Sequence, residues 1–175
     1  MRGTGEFAGA IAILSTVDVR RVVLVSHPAS RMYDLIEGAE HYPEFLPWCA
    51  GATVLERDDE VVAARIAVDW HGVRLSFTTR NRKRRPEWLG LALAEGPFRA
   101  FRGDWFLKPL GDAGCRIDFA MHYEFAGDIL GRLASPVFER ITDSMVDAFV
   151  RRADELGEAI PALAPVVPRL HPGSG

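Results

Sequence analysis

The sequence has little cysteine, no large excess of one charge and no composition typical of a membrane-embedded chain. Its 175 residues include only two cysteines, Cys49 and Cys115, which form no CxxC motif and are too few for a disulfide scaffold. We therefore expect a reduced, cytoplasmic setting. The net charge of −3 argues against a surface that attracts nucleic acid everywhere, so DNA is not an expected partner.

The sequence also lacks recognisable catalytic apparatus. The Ser/His/Asp order, HExxH and Gly-rich phosphate loops are all absent. His122 and Glu124 share the polar, outward face of a predicted strand, which favours a solvated pair over a metal site or dyad. Cys49 follows Trp48 in an apolar corner, which favours a small buried hydrophobe over a reactive thiol. We predict no catalytic residue, no metal and no catalytic cofactor, and therefore a protein that binds rather than catalyses.

Composition predicts one globular domain between two unstructured ends. Hydrophobic residues make up 48% and charged residues 26%, typical of a chain that folds around one core. Residues 1–16 are expected to be a flexible leader, whose apolar stretch is too short to span a bilayer. Residues 17–158 form the predicted domain. Residues 159–175 are rich in proline and are expected to be a disordered tail.

The first quarter of the domain predicts one strand followed by short helices. Val17–Val25 is rich in β-branched residues and indicates a strand. Pro28 suits the first turn of a helix, which Gly38 can end. The apolar segment Tyr42–Trp48 contains two prolines, so it forms at most one helical turn between rigid corners.

A period of two then predicts six further strands up to Phe125. His71-Gly72 is expected to form a two-residue turn, and the segment from Arg80 to Pro86 is expected to turn the next hairpin. After Gly127 the period becomes 3.6. The expected apolar stripe of this helix comprises Leu130, Leu133, Val137, Ile141, Met145, Ala148, Phe149 and Leu156. Pro136 should kink the helix or restart it, with Ser135 as N-cap.

These elements indicate an α+β fold in which an antiparallel sheet of about seven strands curves over one long C-terminal helix. One helix cannot fill a deeply curved sheet, so part of the concave face either lines a cavity or forms ordinary core. Periodicity alone leaves both readings open. The candidate walls are Trp70, Phe77, Phe101, Trp105, Phe119, Met145 and Phe149.

Several segments, in this order, resemble the coenzyme-Q-binding START-like family of the polyketide cyclase/dehydrase superfamily. They are YPEFLPWC from Tyr42, FTTRN from Phe77, EGPF from Glu95 with Trp105 following, CRIDF from Cys115 and MVDAF from Met145. The resemblance covers about Val17 to Leu156. Members of this family include bacterial RatA-type ribosome-association toxins and mitochondrial ubiquinone-binding proteins.

The resemblance implies a helix-grip (START/Bet v 1-like) fold that holds ubiquinone or a related isoprenoid quinone. It also implies a quinone chaperone that supports respiration, with peripheral contact at the inner membrane. We place the mouth of the cavity at Tyr42, Phe45, Leu46 and Trp48, because aromatic side chains held by prolines suit a membrane interface. The alternative is a rigid loop that plugs the end of the sheet.

A basic run is the second notable feature. Arg80, Arg82, Lys83, Arg84 and Arg85 crowd a predicted hairpin tip, where they would contact anionic lipid headgroups or ribosomal RNA phosphates. The alternative is a solvated turn. The run is compatible with a second function, in which a RatA-like toxin binds the large ribosomal subunit and blocks subunit association. A cyclase-type enzyme is a third and weaker possibility.

Overall fold

A computed structural model describes residues 16–158 of the protein. The predicted tail, residues 159–175, and the predicted leader, apart from Thr16, lie outside the described residues. The described part contains seven strands, three α-helices and a 3-10 turn at Ala39–His41. The strands are β1 Val17–Val25, β2 Cys49–Arg57, β3 Val61–Trp70, β4 Val73–Arg84, β5 Trp88–Glu95, β6 Phe98–Pro109 and β7 Cys115–Phe125. The helices are α1 Ala29–Glu37, α2 Tyr42–Phe45 and α3 Asp128–Glu158.

All seven strands form one antiparallel sheet, in the order β1-β7-β6-β5-β4-β3-β2. Strands β2 to β7 follow one another as hairpins, and β1 joins the free edge of β7, with Val17 opposite Tyr123 and Val25 opposite Cys115. The sheet curves around α3, whose buried side chains join the same core as the concave face. The predicted α+β helix-grip architecture, with seven strands over a long C-terminal helix, is confirmed.

Local sequence explains the hairpins and the inward face of the sheet. In β7 the residues at odd positions, from Cys115 to Phe125, are buried, while their neighbours face outward, as the period of two predicts. The β3–β4 hairpin turns at His71 and Gly72, whose φ angles of 47° and 80° are those of a two-residue turn with both residues left-handed. At the β2–β3 turn, the Asp58 carboxylate accepts the backbone N–H of Val61 at 2.7 Å.

The prediction that the segment from Arg80 to Pro86 forms a turn is wrong. Strand β4 continues to Arg84, pairing with β3 at Arg82 and with β5 at Arg84, and the turn occupies only residues 85–87. The strand tolerates its cations because Arg80, Arg82 and Arg84 point outward, while Lys83 faces inward and pairs with Glu37. The charge of the segment concealed its strand periodicity.

Two details of the predicted C-terminal helix are also wrong. Helix α3 continues through Pro136, so the restart at Ser135 is wrong, while a kink at Pro136 stays a prediction. Ala134 and Phe138, on either side of the proline, are both buried against the sheet, and this packing holds the helix together where one backbone hydrogen bond is lost. Leu133 is 67% exposed and Leu156 is 37% exposed, so the buried stripe runs through Phe138 instead of Leu133.

We expect Phe138→Ala to lower the free energy of unfolding by about 3–5 kcal/mol, because it empties a packed aromatic site. The Phe138 ring lies 4.9 Å from that of Tyr123 and 5.3 Å from that of Phe98. Leu133→Ala, a matched control on the same helix, should change stability by less than about 0.5 kcal/mol. Urea denaturation measures both, and equal losses would contradict the assigned helix face.

Candidate ligand-binding cavity

A cavity lies between the concave face of the sheet and helix α3. The centre of a water molecule could occupy about 60 Å³ of this cavity. The whole space between the wall atoms, including the opening to solvent, is about 660 Å³. This is more room than a single buried water requires. The lining residues come from the segment between the end of α1 and β2, from the five strands β3 to β7 and from α3: Ile36, Glu37, Ala39, Tyr42, Trp48, Val62, Ala64, Ile66, Phe77, Thr79, Asn81, Leu89, Leu91, Phe101, Trp105, Met121, Phe138, Ile141 and Met145.

Six of the eleven residues predicted to contact a ligand line this cavity. They are Tyr42, Trp48, Phe77, Phe101, Trp105 and Met145. The other five, Phe45, Leu46, Trp70, Phe119 and Phe149, lie elsewhere. Whether any of the eleven contacts a ligand stays a prediction.

One end of the interior is filled by aromatic side chains. The Trp105 ring lies 4.3 Å from that of Phe119 and 5.5 Å from that of Phe149. Phe149 also contacts Tyr42 and Phe45, at 5.4 and 5.3 Å between ring centroids. We call these five residues the α2-side cluster. Phe119 and Phe149 therefore stand behind the cavity wall as ordinary core.

A second group of rings fills the opposite end. The second group, which we call the α3-side cluster, consists of Phe77, Phe98, Phe101, Tyr123, Phe125 and Phe138, with neighbouring centroids 4.6–6.3 Å apart. The cavity lies between the two clusters. The interior is thus partly packed core and partly hollow, and each of the two readings of the sequence describes a different part of it.

The remaining predicted residues lie near the ends of strands and helices. Trp70 is half-buried at the end of β3, where its ring stacks edgewise on that of His71 at 4.3 Å. Leu46 is buried after α2 without reaching the cavity. Phe45 lies beneath the guanidinium of Arg152, which is 5.5 Å from its ring centroid. The segment from Tyr42 to Trp48 therefore contributes only its first and last residues to the cavity wall.

The residues predicted to contact a ligand are mostly aromatic, and they omit the aliphatic residues that form much of the cavity wall. The inward row of β3 supplies Val62, Ala64 and Ile66, whose alternation was visible in the sequence. Ala64 is the informative member of this row, because a short side chain on a concave face leaves space unless a neighbour fills it. No periodicity signal indicates which inward positions remain unfilled, since that depends on the distance between helix and sheet.

The wall is not uniformly apolar. Along β4 the inward row runs from Phe77 through Thr79 and Asn81 to Lys83, changing from aromatic to polar to charged. Thr79 is 5% exposed and Asn81 is 7% exposed. The Asn81 side-chain oxygen accepts the backbone N–H of Ala92 at 3.3 Å. The cavity therefore has a polar side, which lies on one strand.

An ion-pair network closes this side. The Glu37 Oε1 atom accepts from Lys83 Nζ at 3.0 Å and from Arg57 Nε at 2.9 Å. The same Arg57 holds the Glu40 carboxylate with two hydrogen bonds of 2.7 Å. These bonds lower the pKa of Glu40 to about 2 and raise that of Arg57. The network fastens the end of α1 to β2 and β4 beside the cavity.

Carboxylates occupy most of the predicted anion-binding run. Arg80 pairs with Glu56, Lys83 with Glu37, Arg84 with Glu87 and Arg85 with Asp34, at N–O distances of 3.1, 3.0, 3.3 and 2.8 Å. Arg82 is exposed and forms no ion pair with any residue of the described range. Contact with an anionic partner stays a prediction, and little unpaired positive charge is available for it.

Other reactive side chains are spread out. His122 bonds to Asp18 at 2.8 Å and Glu124 to Arg99 at 2.6 Å, so the two do not form a dyad. Burial raises the pKa of the Cys49 thiol. Across residues 16–158 we find no group of three side chains placed to hold a metal ion, and no helix both long and apolar enough to cross a bilayer.

A family model described as polyketide cyclase / dehydrase and lipid transport matches residues 25–150. The chain belongs to this family. It is 36% identical over 138 residues to the ribosome association toxin RatA of Vibrio cholerae, covering 79% of this chain and 96% of that protein. It is 24% identical over 136 residues to the mitochondrial coenzyme Q-binding protein COQ10 of Dictyostelium discoideum, covering 75% and 66%.

A solved structure shares the fold at low sequence identity. The Zhui aromatase/cyclase from Streptomyces sp. R1128 superposes with a TM-score of 0.68 at 18% identity, covering 79% of this chain and 94% of that one. A similarity at this level of identity shows a shared fold. It does not show that the two proteins share a chemical activity. The family resemblance inferred from the sequence motifs is confirmed.

We expect the Glu37–Arg57–Glu40 network to make stability fall with acid. The pKa of Glu40 is lowered in the folded state, so its contribution is complete above about pH 4.5 and is lost as pH falls toward 2. Arg57→Met should therefore destabilise at neutral pH and flatten this acid dependence. The control Arg80→Met removes a more exposed pair, with Glu56, and should retain the acid dependence. Thermal unfolding between pH 2 and 7 measures both, and parallel curves would contradict the assignment.

Proposed function

We propose that the protein binds ubiquinone or a related isoprenoid lipid in its cavity, without turnover, and acts as a quinone chaperone that supports respiration. In this proposal it works in the cytoplasm and at the surface of the inner membrane. The observation that carries the proposal is a largely apolar hollow with a few polar groups on one wall. Such a site suits a ligand with an apolar body and a small polar head.

The energetics of tail burial favour such a ligand. Each buried methylene contributes about 0.8 kcal/mol, so a five-carbon isoprene unit contributes roughly 4 kcal/mol before the cost of association. Three units contribute roughly 12 kcal/mol, which leaves about 8 kcal/mol, near micromolar affinity, when association costs about 4 kcal/mol, the lower end of its range. The hollow is narrow, and we expect Met121 and Met145 in its wall to move, because unbranched thioether side chains repack easily.

Binding without chemistry agrees with the side chains of the wall. Of the cavity-lining residues, Glu37 carries the one carboxylate, which Lys83 and Arg57 already engage. Tyr42 has a pKa raised by burial, and its hydroxyl donates to the backbone oxygen of Ile36. Neither group pairs with a nucleophile, as general acid–base catalysis with a covalent step would require. The quinone-binding name of the Dictyostelium relative also supports this proposal.

We expect Ala64→Phe to fill the hollow and reduce binding of a short-chain ubiquinone at least tenfold. Ala64 is 2% exposed and lies in the cavity wall, so an added ring occupies the ligand's space. Ala94→Phe places the same ring on an exposed position of β5 and should leave binding unchanged. Quenching of tryptophan fluorescence measures affinity, and mass spectrometry of an organic extract measures co-purified quinone. Melting temperatures check the fold. Undiminished quinone binding by a folded Ala64→Phe variant would reject the cavity as the binding site.

Ribosome association is a second candidate function. It is supported by the name of the Vibrio cholerae relative, which is 36% identical over most of both chains. The ion pairs along β4 argue that the basic run is not its main contact, because four of the five cations already face carboxylates. A ribosome-binding surface would then use Arg82 together with residues elsewhere.

Cosedimentation with large ribosomal subunits at increasing salt tests this candidate. Five phosphate contacts predict a log–log salt slope of about −3.5. Since one cation of the run is unpaired, we expect a clearly shallower slope from this strand. Arg82→Glu should weaken subunit binding and leave ubiquinone binding unchanged. A slope near −3.5, reduced by Arg82→Glu and by Arg80→Glu, would contradict this expectation. It would show that the paired cations of the run also contact ribosomal phosphates.

A further inference from the structure

We propose that Thr79 and Asn81 hold the polar head of the bound lipid, and that the site selects an uncharged head carrying carbonyl or ether oxygens. This inference rests on the proposed function, because it assigns a role to one wall of the same cavity. It assigns a position in the cavity to the polar head of the ligand and identifies the class of lipid that the cavity excludes.

Thr79 and Asn81 occupy positions of the sheet that face the cavity. Thr79 and Asn81 lie two residues apart on β4, so both project from the concave face into the cavity. On one side of them is Phe77, which belongs to the α3-side cluster. On the other is Lys83, which is paired with Glu37. A ligand lying along β4 therefore meets rings at one end and hydrogen-bonding groups at the other.

The local pairing of the sheet fixes the orientation of the Asn81 amide. The β4–β5 ladder pairs Thr79 with Leu93 and Arg82 with Gly90, and it skips the two residues between. In this gap the N–H of Ala92 bonds to the side-chain oxygen of Asn81. Because a backbone N–H requires an acceptor, the oxygen must face Ala92, and the amide NH₂ remains available as a donor.

The Thr79 hydroxyl supplies a second donor beside the first. The residue is 5% exposed and lines the cavity, so its hydroxyl can donate to an oxygen of a bound ligand. One such hydrogen bond strengthens ligand binding roughly three- to tenfold. Two neighbouring donors on a cavity wall fit adjacent oxygens on one head, such as a ring carbonyl and an ether.

Charge excludes the anionic alternatives. Lys83 and Arg57 both bond to Oε1 of Glu37, and Glu37 lines the polar side of the cavity. Arg57 is further held by Glu40. A carboxylate or phosphate head would meet Glu37 with both neighbouring cations already engaged, whereas a neutral head meets no such repulsion. The wall therefore discriminates against fatty acids and phospholipids.

Three probes test this with the purified chain: ubiquinone-2, geranylbenzene, which keeps a ring and tail without oxygens, and palmitate. We expect Thr79→Val to weaken ubiquinone-2 binding roughly three- to tenfold, the loss of about one hydrogen bond, and to leave geranylbenzene unchanged. Thr79→Ser, which keeps the hydroxyl, should restore the affinity. Asn81→Asp keeps the acceptor for Ala92 and removes the donor, so it should weaken ubiquinone-2 at least tenfold. Palmitate should bind far more weakly than ubiquinone-2.

The outcomes separate this inference from the proposed function. If the wild-type chain binds neither ubiquinone-2 nor geranylbenzene, both fail. If it binds both, while folded Thr79→Val and Asn81→Asp variants keep full affinity for ubiquinone-2, the head assignment alone fails. Equal losses for the two probes would likewise overturn it, since they would report altered packing. Melting temperatures identify folded variants, and Thr79→Val changes few enough atoms to keep the test valid if Asn81→Asp does not fold.

Discussion

The separation between helix α3 and the sheet is the constraint on which the interior depends. Aromatic rings set this separation at two places. Phe149 rests on Trp105 in the α2-side cluster, and Phe138 rests on Tyr123 in the α3-side cluster. Between these supports the sheet presents Ala64, whose short side chain lines the cavity. The hollow is therefore a product of large side chains elsewhere, and it persists because rings resist compression.

The sequence predicted the fold because its signals are local. Alternation in Cys115–Phe125, the turn at His71 and Gly72, and the helical period after Gly127 each specify an element within about ten residues. Their order then admits few antiparallel arrangements. Two of the errors, at the end of β4 and at Ser135, arose where composition conflicted with packing. Cations obscured the strand period at the end of β4. Pro136 suggested a new start in a helix that its buried neighbours keep continuous.

The site was less predictable, because a cavity is defined by what side chains fail to fill. Phe119 and Phe149 face the interior as expected, yet they pack on Trp105 instead of lining the space. Thr79 and Asn81 were visible as part of a family motif, but their burial beside the hollow emerges only when β4 is placed next to β5. Spacing identifies an inward face, whereas neighbours across the sheet determine whether that face is covered.

The pairing of the first strand with the last has a consequence for synthesis of the chain. Val17 lies opposite Tyr123, so β1 has no partner until nearly the whole sheet has left the ribosome, and α3 follows later still. Contacts between such distant segments form slowly, because the loop between them must close first. The nascent protein therefore leaves the apolar concave face of its sheet uncovered until α3 has been synthesised. Aggregation is most favoured during this interval.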